Sequence, residues 1–229
     1  MNRIRDRSEA GRELAWRLRD EKLERPLVVA LPRGGVPVGL ELARELRAPW
    51  DVLIVRKIGA PGDPEYGLGA VGENGIRVLD AARLRESEYT ESDLSSVIRR
   101  ERAEVDRRVR SYRAVLPAID RRGRDAILVD DGAATGGTAI LSARVLRSQG
   151  VRRLVIALGV APPDTCRALE RESDRVVVLL RPSDFYAVGQ FYEEFDPVED
   201  SEVLRLLALA ARIERDAPGA ATDAGGRAA

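Results

Sequence analysis

The stretch Ile127–Ala139, ILVDDGAATGGTA, constrains this chain more than any other. Ala126 to Val129 are apolar without interruption, the pattern of a strand buried on both faces of a parallel sheet. Two carboxylates, Asp130 and Asp131, stand at its C-terminal end. Small residues follow from Gly132 to Thr138, and then a helix begins. The first N–H groups of a helix lack intrahelical partners, and the helix dipole favours negative charge there. A strand that runs through small residues into a helix is therefore built to hold a phosphate. Gly136 and Gly137 let the backbone approach an anion, and the hydroxyls of Thr135 and Thr138 add donors. Aspartates aimed at a phosphate would repel it; they are better used on the vicinal hydroxyls of a ribose. The combination points to a ribose 5-phosphate. Two other phosphate loops are excluded: this loop lacks the lysine of GxxxxGK[ST], and no strand is followed by GxGxxG.

An apolar strand, two acids, two small residues and then ATGGT resemble the signature of the type I phosphoribosyltransferases. Gly132 stands where that family usually has an aliphatic residue. The resemblance implies that Asp130 and Asp131 hold the ribose hydroxyls of phosphoribosyl pyrophosphate (PRPP). Ala134, Thr135, Gly136, Gly137 and Thr138 would hold its 5′-phosphate. It also implies Mg²⁺, held mainly by PRPP, with Asp130 or Asp131 as its candidate protein contact and no dedicated metal site. A plain Gly-rich turn would explain the glycines but not two acids at a strand end.

Composition removes several function classes. The 229 residues suit one α/β domain with additions. With 38 basic and 38 acidic residues the net charge is zero, so no nucleic-acid partner is expected. A single cysteine, Cys166, excludes a disulfide framework and a Cys-rich zinc site; Cys166 itself reads as a small apolar residue. The absence of histidine excludes a His-based metal site and a Ser-His-Asp triad. No apolar run approaches the ~20 residues of a transmembrane helix, and the N-terminus is charged and unlike a signal peptide. The expectation is a cytoplasmic protein without a membrane partner. Lysine occurs only at positions 22 and 57, which makes Lys57 conspicuous.

Along the chain, Ser8–Glu24 reads as an amphipathic helix with Ser8 as N-cap and Leu14, Trp16, Leu18 and Leu23 as its apolar surface. Leu27–Leu31 is the first buried strand and runs into Arg33-Gly34-Gly35 ahead of a helix. In an open α/β sheet ligands bind at the C-terminal strand ends, so this second Gly-rich loop should share an edge with Asp130 and Asp131. By resemblance it is the family's pyrophosphate loop, often with a cis peptide bond. Asp51–Val55 is the second strand, ending at Arg56-Lys57-Ile58-Gly59, where two cations could neutralise pyrophosphate. Ala60–Ala70 reads as a mobile loop, and Leu68–Val71 and Ile76–Leu79 as a hairpin around Asn74-Gly75. By resemblance this region is a flap that closes over the reacting centre, and Glu65 in Glu65-Tyr66-Gly67 is its candidate acid or base.

Thr90–Leu116 reads as a long charged helix opened by Thr90 and Asp93, an addition that packs on the core or forms a dimer face. After the signature come a helix over 139–148, a strand over Leu154–Val160, a short helix Thr165–Arg171 capped by Asp164, and the strand Arg175–Leu180. Arg181–Pro197 gathers Phe185, Tyr186, Phe191, Tyr192 and Phe195. By resemblance it is a hood that stacks on a base; on its residues alone it reads as a satellite core beside the same ligand edge. Pro197–Ala211 is a terminal helix, and 216–229 reads as a disordered tail.

The expected architecture is α/β: a mostly parallel sheet of about five strands flanked by helices, with a flap hairpin, a long extra helix and a hood-like C-terminal region, over residues 1–215. The activity implied by resemblance is phosphoribosyl transfer from PRPP to a small nitrogen acceptor, a nucleobase in the first instance, with Lys57, Arg33 and Glu65 as catalytic candidates and Gly34 and Gly35 on the PRPP. The rival class is a non-catalytic PRPP- or nucleotide-binding regulator on the same fold. Hydrolysis or cleavage of phosphorylated ribosides fits the pyrophosphate-side cations less well. An N-terminal cysteine for ammonia release is absent, so the usual amidotransferase form is excluded. The acceptor and the oligomeric state, a homodimer included, stay open.

Overall fold

The computed structural model describes residues 3–216. Its elements follow in the order α1 (Arg7–Leu18), β1 (Leu27–Ala30), α2 (Gly35–Leu46), β2 (Trp50–Val52), β3 (Val55–Ala60), β4 (Asp63–Gly72), β5 (Arg77–Leu79), α3 (Ala81–Glu86) and α4 (Ser95–Arg113). Then come β6 (Asp125–Gly132), α5 (Gly137–Ser148), β7 (Arg153–Val160), α6 (Pro163–Glu170), β8 (Arg175–Leu180) and α7 (Asp200–Asp216). Five strands form one sheet in the order β2-β1-β6-β7-β8, and every pairing in it is parallel.

The uninterrupted apolar runs follow from burial on both sides. Side chains alternate across a strand. Val28, Ala30, Ile127, Val129, Val155 and Ala157 enter one core with Leu14, Leu18 and Leu42 of α1 and α2. Leu27, Val29, Ala126, Leu128, Leu154 and Ile156 enter a second core with Ala143, Leu146 and Leu169 of α5 and α6. Each fully buried Val, Leu or Ile contributes roughly 1.5–3 kcal/mol, so central strands of this composition anchor the fold.

The chain winds outward from β1 to β2 on one side and from β6 through β7 to β8 on the other. The order therefore reverses between β1 and β6. Loops diverge at such a switch point, and it forms the crevice where open α/β sheets bind ligands. Here those loops are Leu31–Gly34 and Ala133–Gly136.

The region after β2 differs from the sequence expectation. Arg56-Lys57-Ile58-Gly59 does not end the second strand but lies within β3, which pairs antiparallel with β4; β5 completes a separate three-stranded sheet. The expected loop over 60–70 is mostly strand. Gly-rich composition favoured a loop, yet Gly69 serves close approach between strands: a Cβ there would stand 2.5 Å from the Val78 carbonyl oxygen, as one on Gly59 would from that of Pro64. The turn between β3 and β4 is carried by Gly62 at φ +85°. At the β4–β5 turn, Asn74 and Gly75 take positive φ, as the Asn-Gly signal requires.

Several boundaries also move. The N-cap of α1 is Asp6, whose Oδ1 accepts from Glu9 N–H at 2.7 Å, and not Ser8. Trp16 is exposed and lies under the Arg19 guanidinium, while Ala10, Gly11, Leu14, Ala15 and Leu18 form the buried stripe. The long helix starts at Ser95, and the short α3, capped by Asp80, precedes it. Asp93 still accepts from the Thr90 N–H at 2.8 Å. Packing of α4 against β3, β4 and α7 supports the core-packing reading. Pro163, not Asp164, opens α6. The terminal helix runs on to Asp216; of the expected tail, 217–229 lie outside the described residues. No helix of the described residues is long and apolar enough to cross a membrane.

A buried charge cluster fastens the antiparallel sheet to the core. Asp51 on β2 accepts from Arg121 at 2.8 Å and from Arg113 at 2.5 Å. Arg113 also donates to both carboxylate oxygens of Glu73, at 2.6 and 2.8 Å. Buried ions of both signs are tolerated only when paired and hydrogen-bonded in this way.

Candidate active site

The signature segment forms the end of β6, a tight turn and the start of α5. β6 continues past Val129, so Asp130 pairs with Leu158 and Gly132 with Val160 on β7. The Ala133 N–H donates to the Val160 carbonyl at 2.9 Å, and the Thr165 hydroxyl donates to the Ala134 carbonyl. These bonds fix the loop from behind. Gly136 takes φ +73°, a left-handed conformation that only glycine adopts without cost, and it turns the chain into α5. Ala134, Thr135 and Thr138 are exposed. The loop thus presents small side chains and a helix N-terminus to solvent, which is the form of an anion site.

The second loop lies directly against the two acids. A Cβ on Gly34 would stand 2.2 Å from Asp131 Oδ2. One on Gly35 would stand 2.5 Å from the Val129 carbonyl oxygen and 3.0 Å from Asp130 Cα. Only glycine allows this approach, so Arg33-Gly34-Gly35, the start of α2 and the acids of β6 form one continuous edge. The peptide bond between Pro32 and Arg33 is cis, one residue earlier than a cis Arg33–Gly34 bond. Arg33 is exposed and pairs with Glu199 at 3.2 Å.

The two acids differ in environment. Asp130 is half-buried, and its Oδ1 accepts from the Asp131 N–H at 2.9 Å. Burial, and next the adjacent Asp131 carboxylate, push its pKa up. Asp131 is buried, not exposed at a strand end. Its Oδ2 accepts from Arg7 Nε at 2.8 Å, and the two side chains are only 12% and 11% exposed. Burial pushes Asp131 up as well, opposed by the Arg7 hydrogen bond and charge. Its carbonyl accepts from the Tyr192 hydroxyl at 2.6 Å. A Cβ on Gly159 would fall 2.0 Å from that hydroxyl, so glycine on β7 makes room for the phenol.

Arg7 is the residue the sequence did not single out for this edge, and Tyr192, named in the aromatic cluster, meets it through Asp131 and not through a base. Arg7 sits in an arginine-rich N-terminus, where no one arginine stands apart. Of the five C-terminal aromatics, Phe191 and Tyr192 are buried, Phe185 stacks on Phe191 at 5.4 Å, and Phe195 lies 5.0 Å from Tyr192. Only Tyr186, 84% exposed, extends into solvent. The satellite-core reading therefore holds for four of the five.

Lys57 lies on β3 opposite Ala70, its aliphatic stem against Gly67. Alternation along β3 separates it from Arg56, which pairs instead with Glu101 of α4 at 2.9 Å. The pair of adjacent cations expected on one edge is thus divided between two faces. Glu65 falls within β4, and its side chain lies outside those described. Cys166 is buried, and burial pushes its thiol up, which fits a packing role.

Comparison with known proteins agrees with this geometry. The phosphoribosyl transferase domain family model matches residues 2–196. The crystal structure of TT1426 from Thermus thermophilus is 44% identical, with a TM-score of 0.84, and the match covers 90% of this chain and 98% of that one. A Mycobacterium tuberculosis H37Rv protein named "Putative phosphoribosyl transferase Rv0571c" is 41% identical over 220 residues, 95% of this chain and 50% of its own length. A protein of the CDC 1551 strain matches equally. The chain spans about half the length of these curated relatives. With a type I fold, the signature loop at the switch point and a family match over nearly its whole length, this chain belongs to the phosphoribosyl transferase domain family.

Proposed function

We propose that this chain transfers 5-phosphoribosyl from PRPP to a nitrogen nucleophile, a nucleobase in the first instance, and releases pyrophosphate. The observation that carries the reading is the contact between Gly34-Gly35 and Asp130-Asp131, which joins a phosphate loop and a ribose-binding acid pair to a second Gly-rich loop at one switch point. Asp130 and Asp131 take the ribose hydroxyls. The turn Ala134-Thr135-Gly136-Gly137-Thr138 takes the 5′-phosphate. Arg33, Gly34, Gly35 and Lys57 serve the pyrophosphate.

In the reaction the bond from ribose C1 to the pyrophosphate oxygen breaks, and the acceptor nitrogen forms the new bond to C1 and then loses its proton. Positive charge develops on the ribose, so catalysis is mainly positioning and charge stabilisation. Glu65 is the candidate for that proton, and the β3–β5 sheet that carries it is the candidate flap, which would shield PRPP from water. The donor set suits Mg²⁺ held chiefly by its ligand, since Asp130 stands half-buried beside a second carboxylate. When bound, Mg²⁺ would neutralise the pyrophosphate, and Asp130 or Asp131 would be the protein residue that helps hold it. The same reading takes residues 1–215 as one domain working in the cytoplasm.

The test is pyrophosphate release from PRPP and Mg²⁺ across purine bases, pyrimidine bases and small amines. Release with one acceptor supports the transferase and identifies its substrate. No release with any, while PRPP still raises the melting temperature, favours the non-catalytic regulator.

A further inference from the structure

The N-terminal segment of the described chain meets the segment ahead of α7 beside Asp131. Ile4 forms a parallel bridge with Tyr192; its N–H donates to the Phe191 carbonyl, and its own carbonyl accepts from the Glu193 N–H, both at 2.9 Å. The Glu194 N–H donates to the Arg5 carbonyl at 2.8 Å. This pairing delivers Arg7 between the two segments. Its guanidinium lies 3.8 Å from the centroid of the Phe195 ring, Nη1 donates to the Asp196 carbonyl at 2.8 Å, and Nε donates to Asp131 Oδ2 at 2.8 Å. Tyr192 holds the carbonyl of the same aspartate. Asp131 is thus fixed through its side chain by the N-terminal segment and through its main chain by the C-terminal one.

We propose that Arg7 is a positioning residue for PRPP: clamped between Phe195 and Asp131, it fixes the carboxylate that meets the ribose, so that ribose binding requires residues 3–7 and 190–196 to be docked together. The inference rests on the PRPP reading above and adds a residue far from both loops in sequence. Three fixed points hold the guanidinium: a ring face, a carbonyl and a carboxylate. A planar fork matches all three, whereas an ammonium meets them as a point charge. One Asp131 oxygen is committed to Arg7, which turns the carboxylate about a defined direction instead of leaving it free to rotate. The effect should be greatest at the ribose end: Arg7 bonds Asp131 directly, whereas Gly34 of the second loop meets that carboxylate by packing alone and the 5′-phosphate turn opens α5. By linkage, PRPP should in turn tighten the docking of the two segments.

The test compares Arg7→Met and Arg7→Lys with Arg17→Met, a control at an exposed position of the same helix, in the full chain. PRPP and inorganic pyrophosphate are each titrated by calorimetry with Mg²⁺, at a temperature where circular dichroism shows every variant folded. Arg7→Met should weaken PRPP binding about tenfold to a hundredfold, the range expected when a hydrogen bond to a charged group that fixes a binding residue is lost. Pyrophosphate binding should stay within about twofold of the parent, and Arg7→Lys should recover part of the PRPP affinity. Arg17→Met should behave as the parent. Unchanged PRPP affinity in Arg7→Met, or equal losses for PRPP and pyrophosphate, would overturn the assignment while leaving the functional reading intact. A parent that does not bind PRPP would instead overturn the functional reading and this inference with it. If Arg7→Met does not fold, Arg7→Lys decides alone: weaker PRPP binding with unchanged pyrophosphate binding supports the role, and parental PRPP binding refutes it.

Discussion

Gly35→Ala sets two effects of opposite sign against each other at the point where the loops join. Within a helix the change would stabilise by up to about 1 kcal/mol, since alanine is the better helix former. Gly35 opens α2, where that gain is smaller. Against it stands a Cβ placed 2.5 Å from the Val129 carbonyl oxygen and 3.0 Å from Asp130 Cα. Both neighbours are backbone of the central strand β6, so no side-chain rotation relieves the contact. Overpacking of this kind costs about 1–3 kcal/mol. The clash wins, and the net loss should be about 1–2 kcal/mol, which for a chain of this size lowers Tm by roughly 2–8 °C. The larger effect should be functional. Relief requires the start of α2 to retreat from Asp130, which weakens PRPP binding, and a displacement of about 1 Å in a positioning group can cost about a hundredfold in rate. Gly39→Ala is the matched control on the same helix. Its Cβ would meet Trp50 Nε1 at 2.7 Å, the Ala30 side chain at 2.8 Å and Val129 Cγ1 at 3.0 Å, which are core side chains and not the backbone beside Asp130. Thermal denaturation and PRPP calorimetry on both variants separate stability from binding. Gly39→Ala should lose stability and keep its PRPP affinity per folded molecule, whereas Gly35→Ala should lose both. Parental PRPP affinity in Gly35→Ala would refute the claim that the two loops form one site.

Other expectations follow from the same contacts. Asp131→Asn sets two effects against each other: it leaves the nearly buried Arg7 without its counter-charge, and it removes a carboxylate whose ionisation burial disfavours, so urea denaturation should show a net loss below about 2 kcal/mol while PRPP binding falls. Asp130→Asn removes a carboxylate whose ionisation burial and Asp131 both disfavour, so urea denaturation should find it at least as stable as the parent while PRPP binding falls. Asp51→Asn should cost about 3 kcal/mol by leaving Arg113 and Arg121 short of an anion, and a loss below about 1 kcal/mol would remove the fastening role given to that cluster. Glu104 is held at about 2, chiefly by the hydrogen bond from Arg107 and further by Arg108 against partial burial. Its lowered pKa means stability present above the ordinary glutamate range and lost as pH falls through about 2. Glu104→Gln should therefore cost less than about 1 kcal/mol at pH 7, and the deficit should vanish by the acid limit; a deficit independent of pH would contradict the pairing.

The parallel sheet was legible in the sequence because its strands are apolar without interruption, and burial on both faces demands that pattern. The signature turn was legible for a related reason: acids at a strand end followed by glycines leave little choice of geometry. The antiparallel sheet was harder to read. Gly62, Gly67 and Gly69 signalled a loop by composition, whereas Gly69, like Gly59 before the expected loop, allows backbone to pass within 2.5 Å of where a Cβ would be. Local propensity carries no information about that approach. The clamp on Asp131 was not legible at all. Arg7 and Asp131 lie 124 residues apart, and nothing in RIRDR distinguishes the arginine that meets the site from those that face water. The aromatic cluster was visible in composition, but whether it stacks on a ligand or on itself depends on where Gly159 leaves space for Tyr192.

The measurement that tests the central claim most directly is calorimetric titration of the parent protein with PRPP, ribose 5-phosphate and pyrophosphate, each with Mg²⁺. If the phosphate turn, the acid pair and the Arg33-Gly34-Gly35 loop form one site, PRPP should bind more tightly than either half, and each half should compete with it. Absence of PRPP binding, or binding of ribose 5-phosphate and pyrophosphate together without competition from PRPP, would contradict the account.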